Sequence, residues 1–370
     1  MVDVFSFADD LGPLKVIHVN ISKFDVKGIL VVDNVAVGPS IGGLRMAPDV
    51  TLAECCRLAR AMTLKNAAAG LPHGGGKSVM IGDPRMERDQ KEAMIRAFAH
   101  ALRHETDYIF GPDMGTDEHC MAWVKDEVGR AVGLPREVGG IPLDELGATA
   151  FGLAAAAEVA IEYCDFALDD ARLAVQGFGS VGMHAARFLS ERGVKLVAAS
   201  DSQGMLYDAG GLDVRALIKH KQSRQSVTTF GVGEVLERDA AILVDCDIWI
   251  PAARPDAITM NNVDDFKGKL VLQGANIPIT GEAERKLEER GVIIVPDFIA
   301  NAGGVICGAM EYQGQTQTGA FSAISEKIRH NTHEVLERAK REHGTARDAA
   351  VRLARERVHA AMDTRRFGVS

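Results

Sequence analysis

The stretch that decides the fold reads Leu173-Ala174-Val175-Gln176-Gly177-Phe178-Gly179-Ser180-Val181-Gly182, with Asp201 lying 19 residues beyond its last glycine. Leu173–Gln176 predicts a buried strand, the glycines a tight turn, and Val181–Arg192 a helix that starts there. The free N–H groups of a helix N-terminus suit a pyrophosphate. Of the glycines, Gly177 permits the turn, Gly179 lets phosphate approach the backbone, and Gly182 lets helix and strand pack closely. Asp201 ends the next predicted strand, Lys195–Ser200, where a carboxylate can accept hydrogen bonds from ribose hydroxyls. The pattern predicts a dinucleotide site made from Gly177, Gly179, Ser180, Val181, Gly182 and Asp201. Ser202-Gln203-Gly204 follows, with no Arg or Lys directly after the acid. A 2′-phosphate would meet a bare carboxylate there, which favours NAD without excluding NADP.

Outward from this motif the chain keeps alternating. A helix over Ala148–Cys164 precedes it, and apolar strands follow at 248–250, 270–272 and 292–295. Short apolar strands separated by helices indicate a parallel α/β sheet. The character changes near Gly139-Gly140-Ile141-Pro142. Ahead of that point, strands are expected at 15–19 and 28–32 around a turn at Ser22–Asp25. A helix is expected over Thr51–Ala69, with Thr51-Leu52-Ala53-Glu54 as a capping box. A strand over Ser78–Ile81 and a helix over Gln90–His104 come next, and the charge-laced tail from Ile324 to Met362 reads as helical. The fold class is α/β with two domains. An N-terminal α/β substrate and oligomerisation domain spans 1–145, and a Rossmann-type dinucleotide-binding domain spans 146–335. A C-terminal helix, 336–370, packs back on the first, and the active site is expected in the cleft between domains.

Composition narrows the function. With 370 residues, 25% of them charged, and a net charge of −9, the chain reads as a soluble two-domain protein without the basic excess of a nucleic-acid binder. No apolar run approaches the length of a spanning helix, and Met1–Leu11 lacks the basic region of a secretory signal. The six cysteines show neither metal-ligand nor CxxC spacing, so reduced thiols, no metal and a cytoplasmic location are expected.

Three segments of the first half carry chemistry: Gly38-Pro39-Ser40-Ile41-Gly42-Gly43-Leu44-Arg45-Met46, then Met62–Lys77 with its two lysines and the run Gly74-Gly75-Gly76, and Gly111-Pro112-Asp113-Met114-Gly115-Thr116. Glycines bring backbone close to a ligand, and a lysine desolvated beside them has a lowered pKa suited to proton transfer. In this order, ahead of the dinucleotide motif, the segments resemble the glutamate/leucine/phenylalanine/valine dehydrogenase family over nearly the whole chain, from about residue 15 to 365. Met62–Gly70 and Ile81–Arg85 are closest to the leucine and phenylalanine enzymes. Gln176–Gly182, Ser200–Ser202 and Gly274-Ala275-Asn276 are closer to the glutamate enzymes.

The resemblance implies reversible oxidative deamination of an L-amino acid to a 2-oxo acid and ammonia by a homo-oligomer. It implies that Lys65 binds the substrate α-carboxylate, with Gly42 and Gly43 beside the substrate. Lys77 would polarise the attacking water and the oxo group, and Asp113 would exchange protons with the amine. Thr149 and Asn276 fall where the family contacts nicotinamide or the substrate amine, Asn301 lies in a loop facing the same cleft, and Ala252 and Ala253 line the cofactor cleft. Two other readings stand beside this one. A catalytically silent relative that binds NAD or amino acids would not need Lys65, Lys77 and Asp113 together. A 2-hydroxy acid dehydrogenase would need a His–acid pair, for which His73, His104 and His119 are available.

The side-chain pocket implied by the resemblance comprises Ile41, Gly111, Val305 and Gly308. Glutamate dehydrogenases have a lysine at the Ile41 position and a polar residue at the Gly308 position. A glutamate γ-carboxylate desolvated against Ile41 without a cation would lose several kcal/mol. The expected substrate is therefore apolar, leucine- or phenylalanine-like. Glutamate is the alternative, should Arg45 or His73 supply the missing cation.

Overall fold

The structure, a computed structural model, describes residues 4–365. It forms two compact units. One comprises everything up to Leu143 with Val305–Ala320 and the chain from Val351, and the other comprises Asp144–Gly304 with Phe321–Ala350. The sequence reading has a single return to the first unit, at 336, whereas the chain returns at Val305 and again at Val351.

In the first unit, β1 (Lys15–Ile21), β2 (Val26–Asn34), β3 (Ser40–Ala47), β4 (Gly75–Ile81) and β5 (Tyr108–Pro112) form a five-stranded sheet in the order β1-β2-β4-β3-β5. β1 and β2 form an antiparallel hairpin whose turn closes at Asp25 with φ 50°, a left-handed position that a short acid tolerates. β3 runs parallel to both β4 and β5. Two differences from the sequence reading matter. β3 and β5 are absent from the sequence reading: Gly42-Gly43 breaks the apolar pattern of β3, and Gly111-Pro112 cuts the β-forming run Tyr108-Ile109-Phe110 to three residues. Gly75, Gly76 and Lys77, read as a loop ahead of a strand, lie inside β4.

Helix α1 (Leu52–Ala68) covers one face of this sheet, with Cys55, Cys56 and Ala59 packed on Val31 and Val79. Thr51 caps it, its hydroxyl accepting from Glu54 N at 3.2 Å. The reciprocal half of a capping box is not seen, since the Glu54 carboxylate pairs with Arg45. Helices α2 (Arg88–Ala101) and α3 (Glu118–Val128) share the other core, where Phe98 and Met121 pack with Leu30, Val32, Leu44, Met80 and Phe110. Neighbouring residues of β2 thus feed opposite cores, as the two-residue strand period requires.

The second unit opens with α4 (Leu143–Leu146) and α5 (Ala148–Ala160). Its strands are β6 (Arg172–Gln176), β7 (Lys195–Ser200), β8 (Met205–Tyr207), β9 (Glu234–Leu236), β10 (Ile248–Pro251), β11 (Leu270–Leu272) and β12 (Ile293–Val295), in the order β12-β11-β10-β6-β7-β8-β9. The first five of that order are parallel, and β8 and β9 add an antiparallel edge. The chain steps from β6 to β7 on one side and later to β10 on the other, so the order switches at β6. Such a switch point opens a ligand crevice beyond the strand C-termini. Helices α6 (Ser180–Ser190), α7 (Val214–Gln222), α8 (Gly281–Glu289) and α9 (Asp297–Ala300) also belong to this unit. The helical tail is preceded by α10 (Gly303–Tyr312) and divides into α11 (Gln317–Glu342) and α12 (Ala346–Thr364). The break comes where His343 takes φ 53° and Gly344 N bonds back to Ala339 O at 3.1 Å. None of the six cysteines is joined in a disulfide, and no described helix is long and apolar enough to cross a membrane.

Glu288, near the end of α8, shows how burial will tune stability. One oxygen accepts from Ala346 N at 2.9 Å, while Oε2 is buried without a hydrogen-bond partner. Burial pushes the carboxyl up to about 7, with nearby Glu284 and Asp348 adding to the rise. The unfolded group ionises near its ordinary value of 4.5, while the folded one keeps its proton to about 7. Stability is therefore lost as pH rises through that window. Glu288→Gln is expected to raise Tm at about pH 8 and to change it little at about pH 5, measured by thermal denaturation at both.

Candidate active site

Lys77 lies within β4 and is 5% exposed. Its Nζ is 2.8 Å from Oδ2 of Asp113, the residue that follows β5. Arg45, on β3, donates Nε to the same oxygen at 2.8 Å and Nη1 to Glu54 at 2.5 Å. Sheet register explains the meeting. Ile41 pairs with Gly75 on β4 and Gly43 with Gly111 on β5, so Ile41, Gly43, Arg45, Lys77, Gly111 and Asp113 fall on one face. Gly43 makes the contact possible. A Cβ there would lie 2.7 Å from Asp113 Cβ and 3.1 Å from Lys77 Nζ. Gly42 is equally constrained, with its Cβ position 1.8 Å from Gly76 O. Thr116 fixes the turn after β5, accepting from Asp113 N at 3.0 Å and donating to Leu44 O at 2.8 Å.

The electrostatics follow from burial and pairing. Burial pushes the Lys77 ammonium below the ordinary lysine value; Asp113 pulls it back, and Arg45 adds to the downward push. Burial alone would raise Asp113, but Lys77 and Arg45 outweigh it and hold the carboxyl below its usual range. A buried lysine that releases its proton readily, touching a carboxylate, can pass protons in either direction. Sequence reasoning named Arg45 only as a possible substrate cation. Its alternation with Gly43 along β3 is the signal that places it on the reacting face.

The other predicted substrate residues distribute as follows. Lys65 is half-buried in the last turn of α1. Its neighbour Asn66 is buried and donates to Gly74 O at 2.7 Å and Ile41 O at 3.4 Å, pinning this end of α1 over β3 and β4. Ile41 is 4% exposed. Gly111 and Gly308 face the same side chain, with Cβ positions 3.5 and 3.4 Å from Val132 Cγ2. Val305 stands one turn before Gly308 on α10. Val132 itself lies outside the quoted motifs and was missed for that reason.

In the second unit Gly177 has φ 95°, and a Cβ there would sit 2.7 Å from Ala253 Cβ and 2.9 Å from Ala252 O. Ala252 and Ala253 therefore wall the turn after β6. Gly182 packs so closely that its Cβ would lie 2.1 Å from Gly177 O. Beside Gly179 nothing approaches within 4 Å, and Ser180 and Val181 begin α6 there. An open helix N-terminus bounded by crowded glycines fits a pyrophosphate. Asn301 donates to Asn276 Oδ1 at 3.0 Å, which brings these two candidates together. Gly303 packs against Thr149, its Cβ position 3.1 Å from Thr149 Cα.

Asp201 has a neighbour the sequence reading did not place. Lys221 contacts its Oδ2 at 2.5 Å, and Ser226 Oγ, Val227 N and Gln203 N donate to the carboxylate at 3.0, 3.0 and 2.9 Å. The acid is not bare, because α7 returns a cation from 20 residues away. Among the described residues no cluster of His, Cys, Asp and Glu is arranged to hold a metal, and His73 pairs with the Pro39 carbonyl rather than an acid.

Residues 139–366 match a family model described as Glutamate/Leucine/Phenylalanine/Valine dehydrogenase, and 13–130 match the Glu/Leu/Phe/Val dehydrogenase dimerisation domain. The chain is 37% identical over 385 residues to an NADP(+)-dependent glutamate dehydrogenase of Pyrobaculum calidifontis, covering 95% of this chain and 91% of the relative. Among solved structures it is similar to the hetero-hexameric glutamate dehydrogenase from Thermus thermophilus in its Leu bound form, with TM-score 0.83, 27% identity, and coverage of 96% and 91%. It is also similar to L-tryptophan dehydrogenase from Nostoc punctiforme, with TM-score 0.75, 25% identity, and coverage of 95% and 97%.

Two outcomes test this geometry. Asp113→Asn keeps the shape but removes the charge shared by Lys77 and Arg45, and kcat is expected to fall by about 10²–10⁴ in steady-state assays. Lys221→Met leaves Asp201 without its cation, and the ratio of kcat/KM with NADP to that with NAD is expected to fall by about tenfold.

Proposed function

We propose that this chain, which belongs to the glutamate/leucine/phenylalanine/valine dehydrogenase family and is an oxidoreductase acting on CH–NH2 groups, deaminates L-glutamate oxidatively and reversibly to 2-oxoglutarate and ammonia. The cofactor is NAD or NADP. The observation that carries the reaction is the buried contact of Lys77 with Asp113 at 2.8 Å. The choice of glutamate is supported by the glutamate dehydrogenases among the relatives, one of them 37% identical over 385 residues. The apolar substrate expected from the sequence has less support there. We also propose a homo-oligomer that associates through the first unit, a reading supported by the dimerisation-domain match over 13–130.

In the proposed mechanism Lys65 holds the α-carboxylate and Asp113 takes a proton from the substrate ammonium, leaving a free amine. When bound, the nicotinamide supplies the hydride acceptor for the substrate Cα–H. The substrate becomes an iminium, and neutral Lys77 takes a proton from the water that adds to it. Asp113 returns its proton to the amine of the carbinolamine, and ammonia leaves as the hydroxyl proton passes back to the carboxylate. Lys77 must be neutral to act as a base, and burial favours that state. In the second unit, Gly177, Gly179, Ser180, Val181 and Gly182 would hold the pyrophosphate and Asp201 would accept from the ribose. Thr149, Asn276 and Asn301 would orient the nicotinamide.

A second reading, an apolar amino acid, is favoured by one specific observation. Ile41 is buried where the glutamate enzymes have a lysine, and Arg45 is already taken by Asp113 and Glu54. Leaving a carboxylate uncompensated there costs roughly 3–5 kcal/mol, or about two to four tenfold steps. Comparing kcat/KM for glutamate, leucine, phenylalanine and tryptophan with both cofactors separates the readings. Glutamate is expected to lead by about tenfold or more. Leucine or phenylalanine ahead of glutamate would overturn the substrate, and no turnover with any amino acid would overturn the reaction.

A further inference from the structure

His73 is 4% exposed. Its Nδ1 lies 3.0 Å from the Pro39 carbonyl, which accepts the Nδ1 proton and leaves a lone pair on Nε2 of the neutral ring. That Nε2 is buried and has no hydrogen-bond partner among the described residues. An unpaired buried polar atom is destabilising, so its survival asks for a reason.

Placement supplies one. β3 and β4 pair with Ile41 opposite Gly75, and the contact of His73 with Pro39 continues that offset one step outward. The row His73, Gly75, Lys77 therefore runs beside the row Pro39, Ile41, Gly43. Lys77 stands at the reacting end and His73 at the other, past Ile41. A second element leads to the same place. The Tyr312 ring meets His73 edge-on, 6.0 Å between centroids, and Tyr312 lies one turn beyond Gly308 and two beyond Val305 on α10. The β3–β4 row and α10, which carry Ile41, Val305 and Gly308 of the proposed side-chain pocket, thus both lead to a buried imidazole with one unpaired nitrogen.

We propose that His73 Nε2, protonated as the ligand enters, receives the side-chain carboxylate of a dicarboxylic substrate and takes over the task of the lysine that Ile41 replaces. The inference rests on the glutamate reading above. Burial pushes the His73 ring below the ordinary imidazole value, with the Pro39 carbonyl opposing, so the free ring is neutral at pH 7. The described groups that face it are that carbonyl, from the chain ahead of β3, and the Tyr312 ring, from α10. A carboxylate arriving at Nε2 raises the imidazole pKa, so binding takes up a proton. Affinity is then full below the free-ring pKa and falls by roughly tenfold per pH unit above it, levelling once the bound-state pKa is passed. A lysine in the same role would stay charged over this range.

The test uses the full chain in the direction of reductive amination, with 2-oxoglutarate and the 2-oxo acid of leucine as paired substrates from about pH 6 to about pH 8. Taking the ratio of their kcat/KM values cancels the titrations of ammonia and Lys77, which both substrates share. The ratio is expected to fall towards the alkaline side by up to about tenfold per unit. In His73→Leu and His73→Gln it is expected to drop by about thirtyfold at the acid end and to lose its slope. Because both substrates are measured on one preparation, the ratio does not depend on how much of a variant is folded. A wild-type ratio that stays flat with pH while glutamate remains a good substrate would overturn the inference and leave the glutamate reading standing. So would a His73→Leu enzyme that keeps the wild-type ratio. Failure of the wild type to use glutamate or 2-oxoglutarate at any pH would overturn both.

Discussion

One carboxylate oxygen shared between two cations governs the first unit. Asp113 Oδ2 lies 2.8 Å from both Lys77 Nζ and Arg45 Nε. Three such groups out of water are costly unless each is satisfied, and removing one leaves the others uncompensated. The surrounding backbone meets that demand. Gly43 leaves the space, Thr116 holds the turn, and Glu54 takes the second arm of Arg45. Glu54 is thereby drawn away from the cap of α1, so a local helix signal gives way to a charge requirement across the sheet.

The second unit solves a different problem with the same economy of side chains. Its proposed phosphate cradle is backbone, and the constraint on it is crowding: Gly177 against Ala252 and Ala253, and Gly182 against Gly177. Polar residues act at a distance from the turn. Arg347 contacts Glu284 at 2.6 Å and Asp297 at 3.0 Å, and Asp297 accepts from Ile277 N at 2.8 Å. Ile277 has φ 49°, a strained value for a β-branched residue, and it follows Asn276 directly. A buried ion pair from the start of α12 thus stabilises the unusual backbone that presents Asn276.

Substrate choice turns on a missing charge. In the proposed pocket Ile41 stands where the glutamate enzymes have a lysine, and Arg45 cannot replace it without abandoning Asp113. His73 is the remaining candidate of the two weighed from the sequence, and its open Nε2 gives that role a physical basis. A proton-dependent receptor in place of a fixed cation would reconcile an apolar wall with relatives that act on a dicarboxylic amino acid.

Much of this was legible in the chain. The strand-glycine-helix motif after β6, the Thr51 cap and the acid at 201 are local patterns, set by dihedral preference and helical or strand period, whereas the roles expected of Lys65 and Lys77 come from the family resemblance. Tertiary structure decided what those patterns could not contain. β3 and β5 were hidden because Gly42-Gly43 breaks the alternation of one and Gly111-Pro112 cuts the other to three β-forming residues; pairing of β3 with β4, and of β5 with β3, holds them extended. Arg45 on Asp113, Lys221 on Asp201 and Gly308 against Val132 each join residues far apart in sequence. Local sequence encodes the backbone preference of each segment, but which charge neutralises which depends on sheet register and helix packing, and those exist only once the chain has folded.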